Sequence, residues 1–207
     1  MHIWQVVLDI FFPPRPEEII LRRASTWIVL ANYQPYELPG GHYSLFHYQN
    51  PIVRALIKEN KFHHSPLAIK LLGNQLQAWL KNDLGGTETF WLVPIPLSAQ
   101  REKERGYNQV TEVIKATSYR QCLLPLLHRQ RHTRPQTSLK KDEREKNLHG
   151  AFAIDYNSLK KLLAVGPGKI ILIDDVYTTG TTLNEAYRTL KTNLPKDCPL
   201  TAVVFAH

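Results

Sequence analysis

The sequence predicts an α/β protein, a parallel sheet flanked by helices, and three observations predict it. Apolar runs recur as short buried strands, at Phe90–Val93, Ile170–Ile173 and Pro199–Phe205; continuous rather than alternating apolar runs suit strands covered on both faces. Helical patterns separate those strands, around Ile52–Ile57, Leu67–Leu80 and Leu183–Leu190, which is α/β order. A strand, two acids, a hydroxyl-rich turn and a helix start also follow one another within Ile170–Leu183.

At 207 residues the chain suits one such domain, 46–207, behind a small N-terminal cap or hood, 1–45. In the cap, Ile3–Phe12 reads as a short core helix that meets Pro13-Pro14 rather than a signal-peptide cleavage site. Arg15-Pro16-Glu17-Glu18 then reads as a helix start, its acids well placed for the dipole. Trp27–Leu30 suits a short strand, and the aromatic segment His42–Tyr48 a hairpin strand.

Pro51 opens a helix with Ile52, Val53, Leu56 and Ile57 inward, and Pro66–Lys81 forms a second. The strand Phe90–Val93 runs into Pro94-Ile95-Pro96, a stiff loop at a strand end, where open α/β sheets bind ligands. A helix follows with Val110, Val113 and Ile114 on one face. Leu123–Leu127, interrupted by Pro125, and Ala151–Ile154 read as strands, and Leu159–Leu163 as a helical turn. The stretch Arg129–Asn147 is basic, polar and poor in apolar anchors, so it is expected to be a mobile, flexible loop.

The net charge is +8, and twelve Lys/Arg against six Asp/Glu fall between Arg101 and His149. That concentration suits either a phosphorylated or polyanionic ligand nearby or a solvated loop. The two cysteines, Cys122 and Cys198, form neither a C-x-x-C pair nor a zinc spacing. No run approaches the ~18–20 apolar residues of a membrane span. The expectation is a cytoplasmic protein with no membrane insertion.

The chemistry concentrates after Ile173. Asp174 and Asp175 precede Thr178-Thr179-Gly180-Thr181-Thr182, and a helix begins with Leu183, Ala186, Tyr187 and Leu190. Unpaired N–H groups of a first helical turn, threonine hydroxyls and the helix dipole all favour an anion there. Gly180 permits a close approach or a positive φ. Carboxylates beside a phosphate repel it unless they face sugar hydroxyls or a metal ion, so a sugar phosphate satisfies both halves. No Walker loop and no G-x-G-x-x-G turn is present.

This run resembles the phosphoribosyl pyrophosphate (PRPP) signature of type I phosphoribosyltransferases. Four further stretches narrow the resemblance to the ComF-type competence family: YQNPIVRALIKENKF, VPIPLSAQREKERGYNQV, the segment holding Arg129, Thr133, Gln136, Arg144 and Asn147, and Gly150-Ala151-Phe152. The resemblance implies that Asp174 and Asp175 contact the ribose hydroxyls, directly or through Mg²⁺ and water, and that Thr178–Thr182 hold the 5′-phosphate. It implies a pyrophosphate loop after Val93, at Pro94 and Ile95, with Arg101 or Arg105, and a flexible lid carrying Arg129 and Arg144. Members commonly carry a four-cysteine N-terminal zinc module; residues 1–42 hold no cysteine, so no zinc is expected.

The function implied is transfer of phosphoribosyl from PRPP with Mg²⁺ to a nitrogenous acceptor, linked to natural competence and DNA uptake. The alternatives are a PRPP- or nucleotide-sensing protein without turnover, or a single-stranded-DNA-binding protein. For the last, basic residues mixed with Tyr107 and Tyr119, and a pI near 9.5, are the signals. Competence-machinery proteins and a second copy in a homodimer are the protein partners the resemblance implies.

Overall fold

The computed structural model describes residues 13–24, 29, 31–84, 89–130, 150–166 and 168–207. The expected helix Ile3–Phe12, most of the expected strand Trp27–Leu30, and the basic stretch from 131 to 149 with Arg144 lie outside them.

Helix α1 (Pro16–Arg23) has Pro16 in its first turn, Glu17 and Glu18 beside it, and Arg22 and Arg23 at its end, so its charges oppose the macrodipole. A hairpin follows, β1 (Tyr36–Leu38) and β2 (His42–Phe46). Asn50 caps α2 (Pro51–His63), its side-chain oxygen accepting the N–H groups of Ile52 and Val53. After α3 (Pro66–Leu84) come β3 (Phe90–Pro94), α4 (Ala99–Arg105), α5 (Gln109–Lys115), β4 (Leu127–Arg129) and β5 (Phe152–Ile154). Then α6 (Tyr156–Val165), β6 (Lys169–Val176), α7 (Thr181–Asn193) and β7 (Leu200–Ala206) follow.

The main sheet has the order β1-β2-β7-β6-β3, parallel throughout except for the β1–β2 hairpin. This is the α/β architecture with a mostly parallel, helix-flanked sheet. Alternation along β6 divides the core. Ile171 and Ile173 pack with Leu56, Leu72, Leu76 and Val113 of α2, α3 and α5. Ile170 and Leu172 pack with Leu183, Ala186 and Leu190 of α7 and with Phe152 of β5.

Several local expectations change. The expected cap boundary at residue 45 falls inside β2, which pairs with β7, so the hairpin belongs to the main sheet. Leu123–Leu127 is not one strand. Leu124 donates to the Leu92 carbonyl at 2.9 Å, but Pro125 has no N–H to continue that ladder, and β4 pairs instead with β5 in a separate antiparallel sheet. Pro94, conversely, stays in β3. Ile95 N–H donates to the Ile173 carbonyl, so the Pro94 nitrogen faces the outer edge, where no ladder bond is lost. The helical turn at Leu159–Leu163 is the interior of the longer α6, capped by Asp155 accepting from Ser158 N–H at 2.7 Å.

The topology opens the site. The chain leaves β3 for α5 on one face and leaves the adjacent β6 for α7 on the other. Loops departing in opposite directions from neighbouring parallel strands leave a crevice at their carboxyl ends. Among the described residues no helix is long and apolar enough to cross a membrane.

Candidate functional site

A cavity of about 420 Å³ occupies that crevice. Asp174, Asp175, Thr178 and Thr182 line one wall, Ile95, Pro96, Leu97 and Arg101 another, and Lys61 and Phe62 of α2 a third. Gln109 and Arg129 complete the floor and rim.

The two acids differ because adjacent strand residues point to opposite faces. Asp175 follows Ile171 and Ile173 toward α2 and α5. Its Oδ2 accepts from Gln109 Nε2 at 2.9 Å and pairs with Lys61 Nζ at 3.0 Å, and its Oδ1 accepts from Val176 N–H at 2.8 Å. Burial alone would raise its pKa, but the Lys61 ammonium and the Gln109 hydrogen bond outweigh burial and hold it below the ordinary value. Asp174 turns toward Arg129 and α7. Its Oδ1 accepts from Asp175 N–H at 2.8 Å. Burial first, then the neighbouring Asp175 charge, push its carboxyl up to about 7 against a weaker pull from Lys61 and Arg129.

The turn after β6 suits an anion. Gly180 sits at φ +74° immediately before α7, and a Cβ there would run into the Tyr177 ring, so only glycine fits. The first helical bond runs from Asn184 N–H to the Gly180 carbonyl at 2.8 Å, leaving the N–H groups of Thr181, Thr182 and Leu183 unused within the helix. Gly180 supplies no side-chain cap. Thr179 and Thr181 hydroxyls lie 2.9 Å apart, and with Gly180 they line a small cleft that Asp174 shares.

The expected pyrophosphate loop is only partly brought to the cavity. Ile95 lines it, but its N–H is taken by Ile173; Pro94 lies within β3 and is not part of the lining. Arg101 reaches the cavity from α4. Arg105 stands behind it. Its Nη1 donates to Gln109 Oε1 at 2.9 Å, its guanidinium lies 5.4 Å from the Phe62 ring centre, and burial, then Arg101, lower its pKa. Arg129 lines the cavity, donates Nε–H to the Pro96 carbonyl at 3.2 Å and stacks over Phe152; burial, then Arg101, lower its pKa. Arg144 lies outside the described residues.

Lys61 and Gln109 were missed as site residues. Lys61 stands in a charged Lys58-Glu59-Asn60-Lys61 run that reads as a solvated helix face, and Gln109 follows the Asn108 cap without any chemical signature. Local bonds hold both in place. Asn108 accepts from Val110 and Thr111 N–H and donates to the Ile95 carbonyl, tying α5 to the loop after β3. Tyr107 Oη donates to the Asn60 carbonyl at 3.1 Å and accepts from His64 N–H at 3.0 Å, fastening the end of α2. Tyr119 packs edge-on against Phe90 at 5.3 Å. Both tyrosines expected as nucleic-acid contacts are therefore engaged in the fold.

No family model matches the chain. Over 156 residues it is 30% identical to Competence protein ComFC of Streptococcus pneumoniae, covering 75% of this chain and 64% of that relative. It is 33% identical over 104 residues to Competence protein F of Haemophilus influenzae, covering 48% and 43%. It is 41% identical over 101 residues to Competence protein ComFC of Bacillus subtilis, covering 49% and 38%. Less than two thirds of each relative is thus spanned. With an α/β sheet of the expected kind as well, the chain is similar to competence proteins of the ComF type.

Proposed function

We propose that this chain binds PRPP, or a closely related ribose 5-phosphate carrying a diphosphate, and serves a competence-linked role in DNA uptake as a phosphoribosyltransferase-like protein. The observation that carries the reading is an acid pair at the end of β6 that shares a cavity with Thr178 and Thr182, while Asp174 and both threonines also line the small cleft at the glycine-kinked helix start. The helix start suits the 5′-phosphate and the acids suit the ribose hydroxyls; Arg101 and Arg129 suit the diphosphate, since neighbouring guanidiniums gain most when an anion comes between them.

The residues also fit Mg²⁺. Asp174 is a carboxyl that burial and Asp175 keep from ionising at its ordinary pH, and a dication reverses that logic. Among the described residues no cluster of three His, Cys, Asp or Glu could cage a metal, so the ion would arrive on the diphosphate and meet Asp174 or Asp175, directly or through water. Bound there, it would withdraw charge from the departing diphosphate. The chain's own part is to hold the ribose between the threonine turn and Asp174, to receive the diphosphate on arginines, and to leave C1 open to a nitrogenous acceptor. No structural zinc is part of the proposal; metal analysis of tag-free protein showing stoichiometric zinc would correct it.

Calorimetric titration of PRPP with Mg²⁺ into the wild type and Asp174→Asn tests the reading. Micromolar binding, weakened at least tenfold in the variant, is expected; no heat with the wild type would overturn it. Acceptor-dependent pyrophosphate release separates a transferase from a PRPP sensor using the same site.

A further inference from the structure

We propose that Gln109 is a positioning residue for Asp175, and that Arg105 acts through Gln109 on the ribose rather than directly on the diphosphate. The inference rests on the sugar-phosphate reading above and deepens it: the segment Arg105-Gly106-Tyr107-Asn108-Gln109 makes the site selective for the hydroxyls of the sugar.

Gln109 is 3% exposed, and its side chain joins two charges. Oε1 accepts from Arg105 Nη1–H at 2.9 Å, and Nε2 donates to Asp175 Oδ2 at 2.9 Å. A guanidinium only donates and an ionised carboxylate only accepts, so the amide has one workable orientation. Turned over, its NH₂ would meet Arg105 and its oxygen would meet Asp175, and both bonds would be lost. Arg105 therefore determines which end of the amide Asp175 receives.

The segment is tied down around that amide. Gly106, at φ +73°, ends α4, and Tyr107 Oη donates to the Asn60 carbonyl. Asn108 Nδ2 donates to the Ile95 carbonyl, and the Gln109 carbonyl accepts from Asn60 Nδ2–H at 3.3 Å. The Gln109 backbone is thus fixed against α2 and the loop after β3. Lys61, the other side-chain partner of Asp175, stands on a flexible four-carbon stem, so it neutralises the carboxylate without fixing its direction.

Val176 N–H, Gln109 and Lys61 together give Asp175 three donors. A carboxylate offers about four acceptor sites, and Asp175 lines the cavity, so a ribose hydroxyl still has an acceptor there. Gln109 holds the carboxylate plane in which that acceptor lies. Arg105 stands outside the cavity lining, its guanidinium 5.4 Å from the Phe62 ring centre, which leaves the diphosphate to Arg101 and Arg129.

The test titrates ribose 5-phosphate, 2,3-dideoxyribose 5-phosphate and PRPP, each with Mg²⁺, into wild type, Gln109→Met, Arg105→Met and the double variant. Wild type should prefer ribose 5-phosphate to the dideoxy sugar by about tenfold or more, since hydrogen bonds to charged groups are at stake. In Gln109→Met that preference should fall about fivefold, through weaker ribose 5-phosphate binding, with the dideoxy sugar bound as before. Arg105→Met should lower the preference in the same direction, weaken PRPP by the same factor as ribose 5-phosphate, and add no further loss to Gln109→Met. An undiminished preference in Gln109→Met, an equal loss on the dideoxy sugar, or an Arg105→Met loss confined to PRPP would overturn the proposal. Arg105 is partly exposed, so its variant keeps the outcome readable if Gln109→Met folds poorly. If wild type binds none of the three ligands, the sugar-phosphate reading itself fails; if it binds them and the variants depart from this pattern, only this inference fails.

Discussion

Two ion pairs of helix α2, one through its buried carboxylate Glu59 and one through Lys61, are built differently. Glu59, 0% exposed, receives a two-pronged grip from Arg15 just before α1, with Nε at 2.9 Å and Nη2 at 2.7 Å. Lys61, two residues on, touches Asp175 through one nitrogen at 3.0 Å. A planar guanidinium matched to both carboxylate oxygens fixes orientation as well as distance, whereas an ammonium is a point charge on a flexible stem. The acid of the first pair lies in the interior; the second pair lines a cavity and has neutral donors in reserve. One pair is suited to fastening α1 onto α2, the other to exchanging partners.

Breaking the fastening pair should produce the largest effect. Arg15→Met leaves the buried Glu59 without its two-pronged partner, with only the His63 imidazole 3.9 Å away among the described residues, and a stability loss of about 2–3 kcal/mol is expected by denaturant titration, below the range for fully buried pairs because Arg15 is itself 43% exposed. Ligand affinity should change little by comparison.

Asp174→Asn sharpens the contrast from the other side, because at this acid burial and the Asp175 charge outweigh the pull of Lys61 and Arg129. A folded-state pKa raised from 3.8 to about 7 means that the folded form holds the proton more tightly than the unfolded chain. Wild-type stability therefore includes a contribution that is full below about pH 4, declines as pH rises toward 7 and is gone above it. The variant lacks that decline, and should gain about 1–2 kcal/mol relative to wild type between pH 4 and pH 8, less than the ~4 kcal/mol of the full shift because Asp174 keeps part of its surface in solvent. Parallel unfolding curves with no relative change across that range would contradict it.

Lys61→Met should lower stability by about 1 kcal/mol or less, since Asp175 keeps the Val176 and Gln109 donors. A loss as large as that of Arg15→Met would erase the distinction between the pairs. The smallest effect is expected at Lys58→Ala. Its bridge to Glu17, 2.7 Å long, joins the same two helices but is solvated, and exposed bridges contribute little. The unfolding midpoint should not move measurably, and adding salt should not separate variant from wild type.

The parts of the molecule legible in the sequence are those whose cause is local. Ile170–Ile173 is a buried strand because its residues are uniformly apolar and mostly β-branched, and Gly180 marks a kinked helix start because nothing larger fits beside Tyr177. Pairing partners are less legible. Asp175 meets Lys61 and Gln109 only after α2 and α5 have packed on one face of the sheet, and no short-range pattern records that meeting. Helix α4 was missed for a related reason: Ala99–Arg105 has no buried residue, hence no apolar stripe, and is set by the Ser98 cap and the Gly106 stop. The β1–β2 hairpin was visible, but its attachment to β7 is a contact between distant parts of the chain.

The position of β7 bears on how the protein is made. It lies in the middle of the order β1-β2-β7-β6-β3, yet leaves the ribosome after every other strand of that sheet. Until Leu200–Ala206 emerge, the hairpin and the β6–β3 pair are two fragments with exposed inner edges, and residues 42–46 wait for partners at 203–206. Sheet closure therefore combines long loop-closure distances with an open-edged intermediate, a combination that slows folding and invites edge-to-edge association. Nascent chains arrested before Leu200 should be markedly protease-sensitive throughout, whereas chains extended beyond Ala206 by enough residues to clear the exit tunnel should become resistant in one step.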